Sequence, residues 1–351
     1  MINTIQPIKT ALCSFGMSGW VFHAPFIHIN KGFELYAVWE RTKNLAEAKY
    51  PGIKTFRTLE EMLSDQSIEL VVINTPNATH YEYSKKALLA GKHIIVEKPF
   101  TINSGEAAEL IALATKCNKL ISVYQSRRYD SDYKTVKKVV DENWLGKIVE
   151  AEIHYDRYRQ EIGPKLHKEV PGPGTGLLYD LGSHLIDQAL QLFGMPNAVF
   201  ADIAIMRPVS KVDDYMELLL FYPNLRVRIK SSYMVREAPP SYVFHGTKGS
   251  FIKARTDIQE KLLQEGVSPD DKNWGVEPDN EKGLLHTEKD GKIIREYIPS
   301  LKGDYGAFYD GMYEAIRFNK AVPVSADDGM NVIRIIETAY QSRAEERIIH
   351  L

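Results

Sequence analysis

The chain has 351 residues, 44% of them hydrophobic and 26% charged, with a formal net charge of -2. That length exceeds one ordinary core and asks for two domains, and the composition is that of a folded protein rather than a disordered one. The balanced charge leaves no basic surplus to neutralise phosphates, which argues against a nucleic-acid partner. Two cysteines, Cys13 and Cys117, make neither a disulfide framework nor by themselves a zinc site, and they fit a reducing compartment. The first residues lack the basic and apolar stretches of a secretory signal, and no run reaches the roughly 18 to 20 apolar residues a membrane helix needs. The expectation is a cytoplasmic protein with no membrane partner.

Ala11, Leu12 and Cys13 belong to the first apolar strand, residues 35–39 to the second, 70–74 to a later one and 94–96 to another. Between them, residues 59–63 and 81–90 read as helices, the second closing at Gly91, a natural residue just past a helix end. A further helix is expected at 104–116 and a strand at 120–124. Nearly all-apolar strands alternating with helices predict a parallel sheet covered on both faces, the doubly wound Rossmann architecture. Past residue 125, Val149, Ala151, Ile153 and Tyr155 alternate with Glu150, Glu152, His154 and Asp156. This period of two marks a strand with one covered face. Extended runs recur at 199–205, 216–221, 225–231 and 242–244 with few helices between them, which predicts a large, mostly antiparallel open sheet.

The polar stretch 256–280 reads as a surface excursion, and helices at about 305–318 and 330–347 close the chain. The expected fold is α/β: a dinucleotide-binding domain over 1–124, then a substrate-binding and oligomerising α+β domain over 125–351. The helix at about 330–347 is expected to pack back on the first domain. An open sheet with one broad face needs cover, so a homodimer or homotetramer is expected.

The first strand ends in Ser14-Phe15-Gly16-Met17-Ser18-Gly19, a G-x-G-x-x-G pattern with serine at the first glycine. Such a turn lets backbone approach a pyrophosphate and offers it the free N–H groups of a helix start. Ser14, Gly16, Met17 and Gly19 are therefore candidate cofactor residues, against the plainer reading of a glycine-rich turn. The second strand ends in Trp39-Glu40-Arg41. An acid there binds ribose hydroxyls and favours NAD; an arginine pairs with a 2′-phosphate and favours NADP. Glu40 leans the choice to NAD, and Arg41 keeps NADP open.

Two later segments carry chemistry. The first runs Thr75-Pro76-Asn77-Ala78-Thr79-His80 and then Ala90-Gly91-Lys92-His93-Ile94-Ile95-Val96-Glu97-Lys98-Pro99. The second is Gly174-Thr175-Gly176-Leu177-Leu178-Tyr179-Asp180-Leu181-Gly182-Ser183-His184-Leu185-Ile186-Asp187. With the glycine turn ahead of them, in this order, they resemble the Gfo/Idh/MocA family of dehydrogenases over essentially the full chain. The likeness is greatest to the branch that holds scyllo-inositol dehydrogenases. The resemblance implies an NAD(P)-dependent oxidoreductase moving hydride between nicotinamide and a CH–OH or C=O carbon of a sugar, inositol or related polyol. It implies Lys98, Asp180 and His184 as the catalytic group, and a cis Lys98–Pro99 bond. It also implies Thr75, Pro76, Asn77, His80 and Glu97 along the cofactor, though Asn77 suits a helix cap equally.

The residues support this independently. Lys98 follows an apolar strand, at the sheet edge where doubly wound folds bind ligands, and a half-desolvated lysine stabilises a developing alkoxide. Asp180 and His184, four apart, share a helix face, with Asp187 on the same stripe, and histidine suits proton transfer near neutrality. Gly182 between them suggests close approach of a ligand. Which of Lys98 and His184 is the formal base stays open. Tyr155, Arg157, Arg159 and His167 are candidates to reach the substrate, with structural ion pairing the plainer account of the arginines. No metal is expected. A glycosidase using bound NAD and a non-catalytic cofactor-binding regulator are the alternatives.

Overall fold

The computed structural model describes residues 6–163 and 166–351, without the side chains of Leu166 and His167. The chain divides into two compact units. The first is the chain up to Ser126 together with Gln259–Trp274 and Asp304–Met330; the second is Arg127–Ile258, Gly275–Gly303 and Asn331–Leu351.

In the first unit six strands form one sheet: β1 (Ile8–Leu12), β2 (Phe33–Trp39), β3 (Lys54–Phe56), β4 (Leu70–Ile73), β5 (His93–Glu97) and β6 (Ile121–Tyr124). Their order is β3-β2-β1-β4-β5-β6 and every pairing is parallel. The chain order reverses between β1 and β4, and ligands of doubly wound sheets bind beyond the carboxyl ends of the strands at such a point. All four residues of β4 are buried, as a strand covered on both faces requires. The flanking helices start where local chemistry tells them to. Thr58 and Glu61 form a reciprocal capping box before Leu59–Ser64. The Asn103 side chain accepts the Glu106 N–H at the head of Ser104–Cys117.

Two returns of the chain complete this unit, so a single changeover near residue 124 does not describe it. The stretch 259–274, expected as part of a polar surface excursion, contains the helix Gln259–Gln264. Gln259, Leu263 and Trp274 are buried, and the Gln259 side-chain oxygen accepts both the Trp274 indole N–H and the Tyr305 backbone N–H. A few buried anchors outweigh a polar average. The second return carries the helix Gly306–Phe318, which buries Phe308, Tyr309 and Met312. It ends beside the edge strand β6, where Val123 N–H and the Ser122 hydroxyl both donate to the Val324 carbonyl.

The second unit is a nine-stranded sheet: β7 (Ile148–His154), β8 (Ala198–Ala204), β9 (Tyr215–Tyr222), β10 (Leu225–Ser232), β11 (Tyr242–Gly246), β12 (Gly249–Lys253), β13 (Gly283–Lys289), β14 (Lys292–Ile298) and β15 (Ile349–His350). The order is β14-β13-β12-β11-β7-β10-β9-β8-β15, with only the β7–β10 pairing parallel. The strict alternation in β9, where Met216, Leu218, Leu220 and Tyr222 are buried and their neighbours are not, shows one covered face. Leu181, Leu185, Ile186 and Ala189 cover it, joined by Val332, Ile333, Ile335 and Ile336 of the helix Ala326–Glu345. That last helix was expected to pack back on the first domain; its first turn belongs to that unit, with Gly329 against Val123 and Phe100, and from Val332 onward its buried side chains join this core. The apolar period that suggested a packed helix does not say against which core it packs.

Among the described residues no helix is long and apolar enough to cross a membrane.

Candidate active site

The glycine turn leaves β1 directly. A Cβ on Gly19 would lie 2.4 Å from the Ser14 carbonyl oxygen and 3.0 Å from Asn74 Nδ2, so no side chain fits there. A Cβ on Gly16 would meet nothing within 4 Å. Tight packing at Gly19 and an open face at Gly16 are what a strand-to-helix turn needs to admit a pyrophosphate. Ser14, the departure from glycine, has its own work. Its N–H donates to Asn74 Oδ1 (3.0 Å), its carbonyl accepts from Asn74 Nδ2 (2.9 Å), and its hydroxyl donates to the Asn74 carbonyl (2.8 Å). This clamp ties the end of β1 to the residue that follows β4. After Met17 the chain is helical, wound as a π-helix over Ser18–His23 and as an α-helix over Ala24–Ile29.

Glu40 is placed differently from its expected role. Its Oε1 accepts the Leu45 N–H (3.1 Å) and its Oε2 accepts the Ala46 N–H (3.0 Å), and the residue is only 7% exposed. It caps the short helix Leu45–Lys49 from outside rather than standing open to a ribose. Arg57 braces the same loop through the Glu40 and Lys43 carbonyls, while Arg41 and Lys43 are exposed.

Thr75, Pro76 and Asn77 follow β4 and lead into the helix His80–Leu89. His80 does not present its ring at the edge of the sheet. It is fully buried, with Nε2 at the Thr75 carbonyl (2.9 Å) and Nδ1 at the Pro99 carbonyl (2.8 Å). Burial pushes its pKa down, against the pull of these two carbonyls. It staples the loop after β4 to the loop after β5.

At the end of β5, the Lys98–Pro99 bond is cis, as the resemblance implied, and Lys98 is half-buried. Glu97 Oε1 accepts from the Ser18 hydroxyl and from His23 Nε2, the latter at 3.0 Å, and Oε2 accepts the Lys98 N–H at 3.2 Å. Burial alone would raise the Glu97 pKa; His23, Ser18 and the Lys98 charge outweigh it and hold the carboxyl down at about 2.

In the second unit, Asp180 lies in a π-helical segment, Leu178–Gly182, which continues as the α-helix Ser183–Phe193 carrying His184 and Asp187. Lys168 Nζ donates to Asp180 Oδ1 at 2.5 Å. Asp187 is held by Arg128 through two charge-assisted bonds of 2.8 and 2.6 Å, which makes it a structural member of the stripe. Asp213 anchors the head of the helix: its carbonyl accepts the Leu177 N–H, its Oδ2 the Leu178 N–H and its Oδ1 the Tyr340 hydroxyl, at 2.8, 2.8 and 2.9 Å. Burial pushes the Asp213 carboxyl above the usual range. Gly182 is explained by packing rather than by a ligand, since a Cβ there would meet Leu178 Cδ1 and Met216 Sδ, each at 2.8 Å.

Tyr155 stands among three guanidinium groups, those of Arg255 (4.4 Å from the ring centroid), Arg157 (5.1 Å) and Arg127 (5.8 Å). Arg157 also donates to the Tyr155 hydroxyl at 3.3 Å and feels the Asp180 charge. No carboxylate of the described residues lies within ion-pair distance of it. Arg159 approaches Glu169 at 3.9 Å. The His167 side chain lies outside the described residues.

Within the first unit the structure thus gathers Ser14, Gly16, Gly19, Thr75, Glu97 and Lys98 at one end of the parallel strands; within the second it gathers Asp180, Lys168 and Arg157. Asn74, His23, Lys168 and Asp213 were missed in the sequence. Asn74 closes an apolar strand just ahead of Thr75, which was a usable signal. His23 and Asp213 find their partners 74 and 35 residues away and carry no local signal. Among the described residues no group of three His, Cys, Asp or Glu side chains is arranged to hold a metal ion.

Known proteins match this arrangement. Residues 8–125 match the family described as "Oxidoreductase family, NAD-binding Rossmann fold", and residues 137–351 match "Oxidoreductase family, C-terminal alpha/beta domain". The scyllo-inositol 2-dehydrogenase (NADP(+)) IolW of Bacillus subtilis is 38% identical over 347 residues, 99% of this chain and 97% of that protein. A crystal structure from Bacteroides fragilis superposes with a TM-score of 0.90 at 48% identity, covering 98% of this chain and all of that one. The crystal structure of an oxidoreductase from Bacillus cereus gives a TM-score of 0.91 at 33% identity, covering 98% of each chain.

Proposed function

Because this chain belongs to the Gfo/Idh/MocA family of oxidoreductases, we propose that it oxidises a CH–OH group of an inositol, sugar or related polyol, or runs the reverse reduction, with NADP as the preferred cofactor. The observation that carries the reaction is Lys98, half-buried at the carboxyl end of β5 and backed by the ionised Glu97. The turn Ser14–Gly19 would hold a nicotinamide dinucleotide, which would supply the hydride-transfer chemistry when bound. Gly16 would leave room for its pyrophosphate, Gly19 lets the helix close on the strand, and the first helical N–H groups would bind the anion.

Lys98 supplies the positive charge that stabilises a substrate alkoxide as it forms. His184 carries the hydroxyl proton, and Asp180, held by Lys168, keeps the site in register. Lys98 and His184 act as one relay, so a bell-shaped pH profile reports on the pair and not on either residue. Arg157 and Tyr155 hold substrate hydroxyls. The cofactor preference follows from Glu40: its carboxylate is occupied by two backbone N–H groups, while Arg41 and Lys43 stand exposed beside it to meet a 2′-phosphate. IolW, whose name specifies NADP and scyllo-inositol, points the same way.

We further propose that copies of the chain associate through the outer face of the nine-stranded sheet, where Phe200 and Leu219 pair across β8 and β9. The test of the activity is absorbance at 340 nm with each cofactor across inositols, aldoses and their keto forms. NADPH formation with a polyol supports the reading. No change with any polyol, sugar or carbonyl partner overturns it in favour of a bound-NAD glycosidase or a binding protein.

A further inference from the structure

His23 is fully buried, and its contact with Glu97 has so far been used only to account for the charge of that carboxylate. It ends the π-helical stretch that follows the glycine turn. The winding matters. In an α-helix, residues five apart point about 140° away from one another; a π-helix, with its i→i+5 bonding, brings them onto one side. Ser18 and His23 are five apart, and both reach the same oxygen, Glu97 Oε1.

On its other side, His23 Nδ1 lies 2.6 Å from the Tyr309 hydroxyl, on the helix Gly306–Phe318. The titratable groups that face His23 are therefore Glu97 on β5, with Lys98 next to it, Tyr309, and Tyr124 of β6, whose ring centroid is 4.5 Å from the imidazole. The Tyr309 hydroxyl has a second acceptor, the Phe22 carbonyl at 3.3 Å. With a neutral ring, Tyr309 donates to Nδ1. With a charged ring, Nδ1 donates to Tyr309, which then donates to Phe22. Either protonation state leaves every group bonded. A buried polar chain of this kind gives little stability over an apolar replacement of similar shape, so its use lies in what it holds.

We propose that His23 is a positioning residue for Lys98: the chain Tyr309–His23–Glu97 fixes the carboxylate that accepts the Lys98 N–H and locks the lysine segment to the cofactor turn through Ser18. The kinetic part of this inference rests on the hydride-transfer reading above.

The test uses the full chain with His23→Phe, His23→Gln and Tyr309→Phe. The first readout is independent of turnover: the pH dependence of Lys98 acylation by acetic anhydride, followed by mass spectrometry of the Lys98 peptide. His23→Phe is expected to move the Lys98 midpoint by at least about 0.5 pH unit, and His23→Gln, whose amide can still donate to Glu97, to restore most of it. The second readout is kinetic. His23→Phe is expected to lower kcat about tenfold and to shift one limb of the pH profile, with polyol KM within about threefold. His23→Gln should recover most of that kcat, and Tyr309→Phe should fall between.

An unmoved Lys98 midpoint in His23→Phe overturns the proposal. So does a loss shared equally by thermal stability, KM and kcat that His23→Gln does not relieve. If His23→Phe does not fold, Tyr309→Phe and His23→Gln are judged by the same midpoint, and no displacement in Tyr309→Phe overturns it. A wild-type chain inactive with every polyol removes the functional reading alone and leaves the acylation result decisive.

Discussion

Replacing Glu40 with alanine separates the ribose-binding role expected from the sequence from the capping role seen in the structure. In the structure its oxygens accept the N–H groups of Leu45 and Ala46 at 3.1 and 3.0 Å. Helix caps contribute about 1 kcal/mol and hydrogen bonds to charged groups about 1.5–3 kcal/mol. Because the two bonds share one carboxylate and one short helix, the expected loss is about 2–3 kcal/mol. In a unit of this size that is a fall of roughly 4–10 °C in Tm, read by calorimetry or by urea titration. The cofactor ratio should hardly move. If Glu40 bound the ribose hydroxyls of NAD, its removal would cost that charge-assisted bond and lower kcat/KM for NAD by about 10- to 100-fold. We expect a change below about threefold, with NADP still preferred. An NAD-specific loss of tenfold or more without destabilisation would refute the reasoning, since it would show a carboxylate that serves the ligand and not the backbone.

Four further outcomes follow from particular contacts. Arg41→Ala should lower kcat/KM for NADP about tenfold while sparing NAD, as loss of a guanidinium–phosphate pair requires; equal losses with both cofactors would contradict this. Asp213→Ala should cost about 2–4 kcal/mol in urea unfolding, from the lost cap and the stranded Tyr340 hydroxyl. Asp213→Asn should cost less, about 1–2 kcal/mol, because its one amide oxygen keeps one of the two side-chain acceptors. His93 accepts the Leu120 N–H on Nδ1, and its pKa is lowered to about 4, first by burial and then by the Lys119 charge. A folded-state pKa below the ordinary value near 6.5 means stability is whole above about pH 6.5 and falls as pH drops towards 4. The loss is roughly 2–3 kcal/mol, and His93→Asn should flatten that slope in urea midpoints measured from pH 7 to 4. Finally, sedimentation should show an assembly larger than the 39.9 kDa chain; Phe200→Glu should dissociate it, and a wild-type monomer would remove the claim.

The doubly wound sheet was legible because its signals are local. Four uninterrupted apolar residues in β4 and the T-x-x-E box at Thr58 can be read within one short window. The returns at 259–274 and 304–330 were not, since their membership in the first unit rests on Gln259, Trp274 and Val324 meeting residues far along the chain. At the candidate site, the residue types that do chemistry stood out, and the residues that hold them did not. Glu40 illustrates the limit. Its position at the end of β2 is what a ribose ligand occupies, and nothing in the neighbouring sequence reveals that two backbone N–H groups three-dimensionally in reach have taken its oxygens.

One helix in each unit shares a construction that bears on how the candidate residues of that unit are held. Each begins with a π-helical stretch, Ser18–His23 in the first unit and Leu178–Gly182 in the second, and each then continues as an α-helix. Such turns are uncommon and collect at functional sites, because the extra residue per turn redirects side chains at the cost of weaker backbone bonding. In both places a carboxylate from another element meets the widened turn: Glu97 takes Ser18 and His23, and Asp213 takes the Leu178 N–H, while its backbone carbonyl takes that of Leu177. Each carboxylate is itself braced from the far end of its unit's sequence, Glu97 through His23 by Tyr309 and Asp213 by Tyr340. A widened turn that would fray on its own is thereby fixed by a carboxyl acceptor and a tyrosine hydroxyl. This is why the two carboxylates, and not the chemistry-bearing side chains alone, are the residues whose replacement should disturb the geometry of the site.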